Sequence, residues 1–436
     1  MCRLMTGVLT AFGDLALLKL ARRREDPSTV SWLLLLTQVW KFLPTSCQPL
    51  LTLAFAHLSS LSLTVTIAHL SSLLLTPQTN WFLLYSGSRT LSTSLETSLL
   101  LISLASYPQP RALGLAALSV MMRPTAALAW LPLAPLFCTT ILPSLPFKKL
   151  LILPLAPLAA LLLAAMVDSL FYGFPIFTPL NFFKANVVED LSSFYGVQGW
   201  WWYLSHTLFP IFGPLLLPAL LGLPGLPAFL SLPIISTIFV LSALPHKEMR
   251  FLHPILPLLL FSAARYLAKR LKGPPSSRAT LLLFLANIPL TIYLSLLHQQ
   301  GVVAAAMHLG KGKEDALVLM PCHSTPLYSH VHEDVPVRFL TCNPPLHGQP
   351  VEEEEAEVFY KAPRAWIDHN YPLNSKYPAF PGNVLLFDNL EPQVGGALRA
   401  RGLQPCLSWH HTHFPEGRIG SRVLLYCRRP ISHSQK

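Results

Sequence analysis

Apolar stretches long enough to cross a bilayer, which takes roughly 20 residues, constrain this chain more than any other feature. They run over residues 31–46, 91–107, 125–145, 150–167, 207–228, 229–244, 251–267 and 279–297. A backbone in hydrocarbon must satisfy its own hydrogen bonds, so such stretches fold as helices. Several contain prolines, among them Pro132, Pro135, Pro154 and Pro157, which predicts kinked and broken helices whose freed carbonyls are covered by neighbours. Only 12% of the 436 residues are charged, half of the roughly 25% usual in a soluble chain. The expected fold class is therefore an α-helical polytopic membrane protein.

The formal net charge of +11 does not mark a nucleic-acid binder. Its basic residues fall in short runs between apolar stretches, at Arg22-Arg23-Arg24, Lys148-Lys149 and Lys269-Arg270-Leu271-Lys272. Cytosolic loops under the positive-inside rule look like this, and no basic stripe suited to a phosphate backbone is visible. Met1-Cys2-Arg3-Leu4 leads into an amphipathic stretch holding Asp14 and Lys19, without the features of a secretory signal. With 269–278 cytosolic, the span 279–297 carries the rest of the chain to the opposite, lumenal side. Two parts are expected: a membrane domain over 1–297, with lumenal loops at 168–206 and 245–250, and a lumenal C-terminal domain over 298–436. Residues 47–79 contain a near-duplicate, Ala56-His57-Leu58-Ser59-Ser60-Leu61 and Ala68-His69-Leu70-Ser71-Ser72-Leu73. Two copies are too few for a repeat architecture, and the segment reads as an insertion foreign to the fold.

Chemistry is sought on the lumenal side. His246-Lys247-Glu248-Met249-Arg250-Phe251 puts four ionisable side chains at a membrane boundary, which is costly unless they pair or meet a charged ligand. Lys247 and Arg250 suit a phosphate, Arg through its fork and Lys as a point charge, with Glu248 holding either in place. The alternative is a solvated turn anchored by cations. The 168–206 loop carries Asp168, Asn181, Asn186, Tyr195 and the run Trp200-Trp201-Trp202-Tyr203. Amides bond sugar hydroxyls and rings cover apolar sugar faces, so a sugar site is one reading. An interfacial aromatic belt is the other, and it explains the tryptophans but not the asparagines. His323, His330, His411, His413 and Glu416 make a metal site conceivable. Their spacing matches no zinc signature, so no metal is expected. None of the seven cysteines forms a CxxC pair, which excludes zinc ribbons and thioredoxin motifs.

Taken together, Arg89-Thr90-Leu91-Ser92-Thr93-Ser94-Leu95-Glu96, Arg123-Pro124-Thr125, the 168–206 loop and His246 to Phe251 resemble glycosyltransferase family 22. Its members are dolichol-phosphate-mannose-dependent mannosyltransferases of the C-type membrane fold. Pro321-Cys322-His323-Ser324-Thr325-Pro326, Ala356-Glu357-Val358-Phe359-Tyr360 and His411-Thr412-His413-Phe414-Pro415-Glu416-Gly417-Arg418-Ile419-Gly420 resemble the members that add the third mannose to a glycosylphosphatidylinositol (GPI) anchor precursor. The resemblance covers 5–40 and 80–430. It implies an α-1,2-mannosyltransferase of the endoplasmic-reticulum membrane that uses a lipid-linked donor, needs no cofactor and binds no nucleic acid. Further implications are His246, Lys247 and Arg250 on the donor phosphate, Asn181, Asn186, Tyr195 and Trp202 on sugar, and Arg89, Glu96, Arg123 and Glu248 as structural motif residues. Cys322 and Cys342, in the tail whose motifs carry the resemblance, are expected to pair, as are Cys406 and Cys427.

This chain departs from the resembled pattern in three ways. Thr93 stands where such members carry asparagine, 47–79 has no counterpart, and the acidic lumenal loop thought to hold the catalytic base is expected upstream of Met1. The catalytic base thus stays unassigned, with Asp168 the candidate within the chain, and the chain alone is expected to bind donor without transferring mannose. Alternatives are a sibling enzyme of N-glycan or GPI assembly, an inactive fragment, and a transporter gated by the His246–Arg250 ion pairs, although no inverted repeat marks one. A C-terminal tag should be protected from protease in sealed microsomes, and its digestion without detergent would invert the expected topology.

Overall fold

Proline density shapes where the apolar chain breaks, although Ala228–Ala243 and Ser277–Leu296 each run through one interior proline. The computed structural model describes residues 2–37, 80–87, 89–140, 142–147, 154–312, 315–343, 353–373 and 379–428, so the 47–79 segment and Lys148-Lys149 lie outside the described residues. Between Pro124 and Ser144 the expected span is replaced by short pieces: Pro124–Ala126, Ala127–Trp130, Leu131–Leu133, Ala134–Thr140 and Leu142–Ser144. A proline every few residues removes donors faster than a helix can tolerate. Where prolines sit in the first turn, the helix runs on. Pro157 opens Leu155–Tyr172, which stops at Gly173 in the left-handed conformation, φ 77°. Likewise Pro257 opens Leu256–Leu271.

By length and composition three stretches can cross a membrane: Tyr203–Gly225, Met249–Leu271 and Ser277–Gly312. Arg111–Met122, Pro157–Tyr172 and Ala228–Ala243 are shorter apolar helices. The first unit, Met1–Thr291, is built around Met249–Leu271. Leu252, Ile255, Leu256, Leu258, Leu259 and Leu260 are fully buried there, as expected of a helix apolar all round at the centre of a bundle. Gly222 lets a neighbouring helix approach, because a Cβ on it would meet the Ser262 carbonyl oxygen. Small residues at such crossings bring membrane helices into contact. On the periphery, Leu162, Leu163, Leu170 and Phe171 are exposed, and Ser277–Leu296 has no buried residue at all. Exposed leucines on long helices are surfaces made for lipid.

The second unit, Ile292–Lys436, begins close to the expected boundary after residue 297. Its sheet contains β1 (Ala316–Leu319), β2 (Val337–Phe339), β3 (Asn383–Phe387), β4 (Gln404–His410) and β5 (Arg422–Cys427), in the order β2-β1-β3-β5-β4. β1 pairs in parallel with β2 and β3, while β5 is antiparallel to β3 and β4. Strand side chains alternate between faces. Leu317, Leu319, Val384 and Leu386 pack with Phe359, Trp366, Ile367 and Val394 of the helices Glu355–Lys361, Pro363–Asn370 and Glu391–Ala400. On the other face Val318, Leu385, Val423 and Leu425 pack with Val302, Ala305 and Leu309 of Gly301–Gly312. This apolar helix is a layer of the second unit, covering one sheet face.

Disulfides join Cys322 to Cys342 and Cys406 to Cys427, 20 and 21 residues apart. Closing loops of that size stabilises a fold by about 3 kcal/mol each. The second bond holds edge strand β4 onto β5. The double substitution Cys406→Ser with Cys427→Ser should therefore make the second unit sensitive to limited proteolysis at temperatures where the parent resists, and equal cleavage rates would show that the staple adds nothing.

Candidate active site

The cationic turn between the helix Ala228–Ala243 and the 3-10 turn Met249–Ile255 is held by the end of the long loop. Gln198 N–H donates to the Pro245 carbonyl at 2.9 Å, and His246 Nδ1 lies 3.1 Å from the Gly196 oxygen. Lys247 Nζ donates to the carbonyls of Gln198, at 3.0 Å, and of Leu244. Lys247 is only 5% exposed. Burial lowers its pKa, and its ammonium is engaged by backbone rather than displayed at the surface.

Glu248 organises the rest of the turn. Its carboxylate accepts from Arg250 Nη2 at 2.9 Å, pairs with Arg250 Nε at 2.5 Å and lies 3.3 Å from His246 Nε2. Burial alone would push this carboxyl up, yet the bonds and charges of Arg250 and His246 hold it below its ordinary value. Arg250 remains half-exposed, a guanidinium whose direction is set by Glu248 and whose outer edge is open. The ring centroid of His246 lies 6.2 Å from that of Tyr195 and 5.9 Å from that of Phe251.

Beneath the turn, three separate motifs meet. Arg123 Nε pairs with Glu96 at 2.9 Å, with both side chains largely buried, and its Nη1 donates to Ser92 Oγ at 2.8 Å. The guanidinium lies 5.9 Å from the Phe251 ring. His253, which the sequence reading did not single out, is 1% exposed. Its Nε2 lies 3.1 Å from Ser86 Oγ and its Nδ1 3.4 Å from Thr93 Oγ1. Its position seven residues after His246 was the available signal, masked by the apolar run around it. Arg89 instead folds back locally, with Nε on the Tyr85 carbonyl at 3.1 Å and its guanidinium 3.8 Å from the Tyr85 ring.

The residues expected at the sugar are less tightly gathered. Trp202 stacks on His206, with centroids 5.8 Å apart and planes 2° apart. Asn181 is exposed on the helix Thr178–Phe183, which packs against Pro124–Ala126. The Asn186 amide donates to the Phe182 carbonyl at 2.9 Å. Asp168 is half-buried near the end of Leu155–Tyr172. Among the described residues no hydrogen bond ties Asp168, Asn181 or Asn186 to the turn. The candidate metal ligands do not converge either. The group with metal-like spacing among the described residues is Cys322, His323 and Cys342, and its two sulfurs are bonded to each other, which leaves no thiolate to ligate.

Against known proteins, the profile of the Alg9-like mannosyltransferase family matches residues 1–332. The chain is 33% identical to GPI alpha-1,2-mannosyltransferase 3 of Danio rerio, over 98% of this chain and 75% of that protein. It is 34% identical to the Homo sapiens protein of the same name, over 80% of this chain and 66% of the relative. With GPI mannosyltransferase 3 of Drosophila melanogaster the identity is 35%, over 73% and 61%. The chain thus spans three quarters of the zebrafish relative and less than two thirds of the fly one. The apo structure of ArnT from Cupriavidus metallidurans aligns with 98% of this chain and 83% of its own, at a TM-score of 0.45 and 9% identity.

Glu96→Gln should leave Arg123 largely buried without its counter-charge and destabilise the first unit by on the order of 3 kcal/mol. Glu96→Gln combined with Arg123→Met should recover most of that. Thermal unfolding in detergent reads both, and simply additive losses would mean that the two groups are not coupled.

Proposed function

The chain belongs to the Alg9-like mannosyltransferase family, and from that premise we propose that it transfers mannose, in α-1,2 linkage, from dolichol-phosphate-mannose to a mannosylated GPI precursor. The observation that carries the chemistry is Arg250, half-exposed and aimed by Glu248, on a turn clamped by Gly196 and Gln198. We place this turn on the lumenal face of the endoplasmic-reticulum membrane, within a C-type helical bundle. Three relatives named for GPI mannosyl transfer support the substrate class.

In the reaction, the acceptor hydroxyl oxygen attacks the anomeric carbon of the donor mannose and the bond from that carbon to the phosphate oxygen breaks. Dolichyl phosphate leaves with the electron pair, a base takes the hydroxyl proton, and the anomeric configuration inverts. Negative charge grows on the departing phosphate, and a guanidinium already oriented before the reaction stabilises it without reorganisation. His246, whose two ring nitrogens face the Gly196 carbonyl and the Glu248 carboxylate, holds the turn and Glu248 in place rather than meeting the donor itself. Lys247 contributes at one remove, by fixing the loop segment 196–198 against the turn. A hydroxyl also needs a base, which typically contributes about 10²–10⁴-fold, and Asp168, near the end of the helix Leu155–Tyr172, is the carboxylate proposed.

Arg250→Ala should lower mannose transfer from labelled donor in microsomes by about tenfold or more, the loss expected of one charge-assisted contact. Arg250→Lys should retain part of the activity. A product resistant to α-1,2-mannosidase, or an Arg250→Ala rate equal to the parent's, would remove the reading.

A further inference from the structure

The three tail motifs singled out in the sequence lie far apart along the chain, yet the fold brings them to one edge of the sheet. β1, β2 and β3 run in parallel, so the segments that leave them, from Met320, Leu340 and Asp388, emerge on the same side. The Cys322–Cys342 bond ties the first two exits together. Glu355 Oε2 accepts from Thr341 N–H at 3.0 Å and Thr341 Oγ1 at 2.9 Å, which fixes the start of the helix Glu355–Lys361 at the β2 exit. At the β3 exit, Asn389 Nδ2 donates to the Gly417 carbonyl at 3.3 Å. A Cβ on Gly420 would collide with the Asp388 carboxylate and with Phe387, so the loop 411–420 is seated directly on that exit. His411, 3% exposed, lies 5.0 Å from the Phe387 ring, and its Nδ1 is buried without a hydrogen-bond partner.

Across this edge Glu357 and Arg418 form a two-pronged ion pair, at 2.7 and 2.8 Å, and the guanidinium lies 4.4 Å from the Tyr360 ring. Each side chain of the pair is half-exposed. The Glu357 carboxyl is held below its ordinary value by its bonds to Arg418. As an anchor such a pair is worth little, because exposed ion pairs contribute about 0–1 kcal/mol. As a ligand platform it is well built: acceptor and donor oxygens and nitrogens fixed side by side, on an aromatic ring, at the carboxyl edge of parallel strands, where open α/β sheets bind their ligands. Its charge chooses the ligand. Arg418 is neutralised by Glu357 and Glu354 adds a negative charge nearby, so a phosphate is disfavoured and a neutral polyhydroxyl group suits the paired donors and acceptors.

We propose that Glu357, Tyr360 and Arg418 form a sugar-binding subsite on the C-terminal unit, which takes a neutral manno-oligosaccharide and so reads the glycan of the acceptor. The identity of the sugar rests on the mannosyl-transfer reading; the subsite itself rests on the edge geometry. The test measures binding and not turnover. The full chain in detergent is titrated with α-linked mannobiose by saturation-transfer difference NMR, with inorganic phosphate as the competing probe. Mannobiose should bind and phosphate should not displace it. Arg418→Lys and Glu357→Gln should each weaken binding about tenfold, the loss of one charge-assisted bond, while Arg250→Ala leaves it unchanged. Displacement by phosphate, unchanged binding in both tail variants, or loss in Arg250→Ala alone would overturn the subsite. Because Glu357 shares its helix with the core residue Phe359, a photoreactive mannoside provides a second measurement on the unaltered chain. Labelling of the 353–364 or 405–421 peptides supports the proposal, and labelling confined to residues 1–291 refutes it. A chain that binds mannobiose in this way but fails to transfer would retain the subsite and lose the catalytic reading.

Discussion

Hydrocarbon offers a backbone no partner, and that constraint orders everything in Met1–Thr291. The chain carries 41 prolines, each of which deletes a donor and can strand a carbonyl. Where the prolines are dense, between Pro124 and Ser144, the backbone falls back on short 3-10 and α pieces whose groups must be covered by neighbours. Long helices survive where prolines are sparse, in the first turn as in Leu256–Leu271 or singly inside as Pro289 in Ser277–Leu296, and Met249–Leu271 is the stretch that sits at the centre. It becomes the axis of the bundle because its first half can be packed from every side: Leu252, Leu256, Leu258, Leu259 and Leu260 are buried, and Ser262 satisfies its hydroxyl on the Ala219 carbonyl at 2.6 Å.

The same constraint explains how polar side chains are carried inside the bundle. Along Ser92–Ser106 three of them bond their own helix: Thr97 to the Thr93 carbonyl at 2.7 Å, Ser98 to that of Ser94 at 2.9 Å, Ser106 to that of Ile102 at 2.9 Å. Such back-bonds cost little and need no partner helix. Glu96 and His253 cannot be satisfied so cheaply. One takes Arg123 and the other takes two hydroxyls from two helices. These non-local solutions lie immediately beneath the cationic turn and fix the floor on which it stands. For the proposed donor-phosphate role a rigid floor matters, because a cation that must reorient before meeting its ligand loses the advantage of preorganisation.

Much of this was legible from residue order. Length and apolarity expose the membrane class, and the run from His246 to Phe251 exposes the cationic turn, because charge at a membrane boundary is anomalous by itself. Roles within the turn were not legible. Lys247 and Arg250 look equivalent as letters, yet Lys247 spends its charge on the carbonyls of Gln198 and Leu244 while Arg250 keeps an open edge. That division depends on a loop closing across some fifty residues of sequence, as the Gly196–His246 bond does with a separation of 50. His253 escaped for a related reason: a histidine within an apolar run reads as filler until its two hydroxyl partners, 160 and 167 residues away, are brought beside it.

The limit of apolarity as a signal shows most clearly where the two units meet in sequence. Ser277–Leu296 and Gly301–Gly312 are both apolar, and together they read as a single stretch fit to span. The first has no buried residue. The second buries Val302, Ala305, Ala306 and Leu309, three of them against the sheet face made by Val318, Leu385 and Leu425. Composition measures the need to leave water and is silent about the refuge. What separates the cases is partner geometry. β1, β3 and β5 are apolar on both faces and require a helix on each, and Gly301–Gly312 carries small residues at helical spacing that let it lie flat on one of them. Ser277–Leu296 presents leucines around most of its circumference, a shape no single sheet face can cover and a bilayer can.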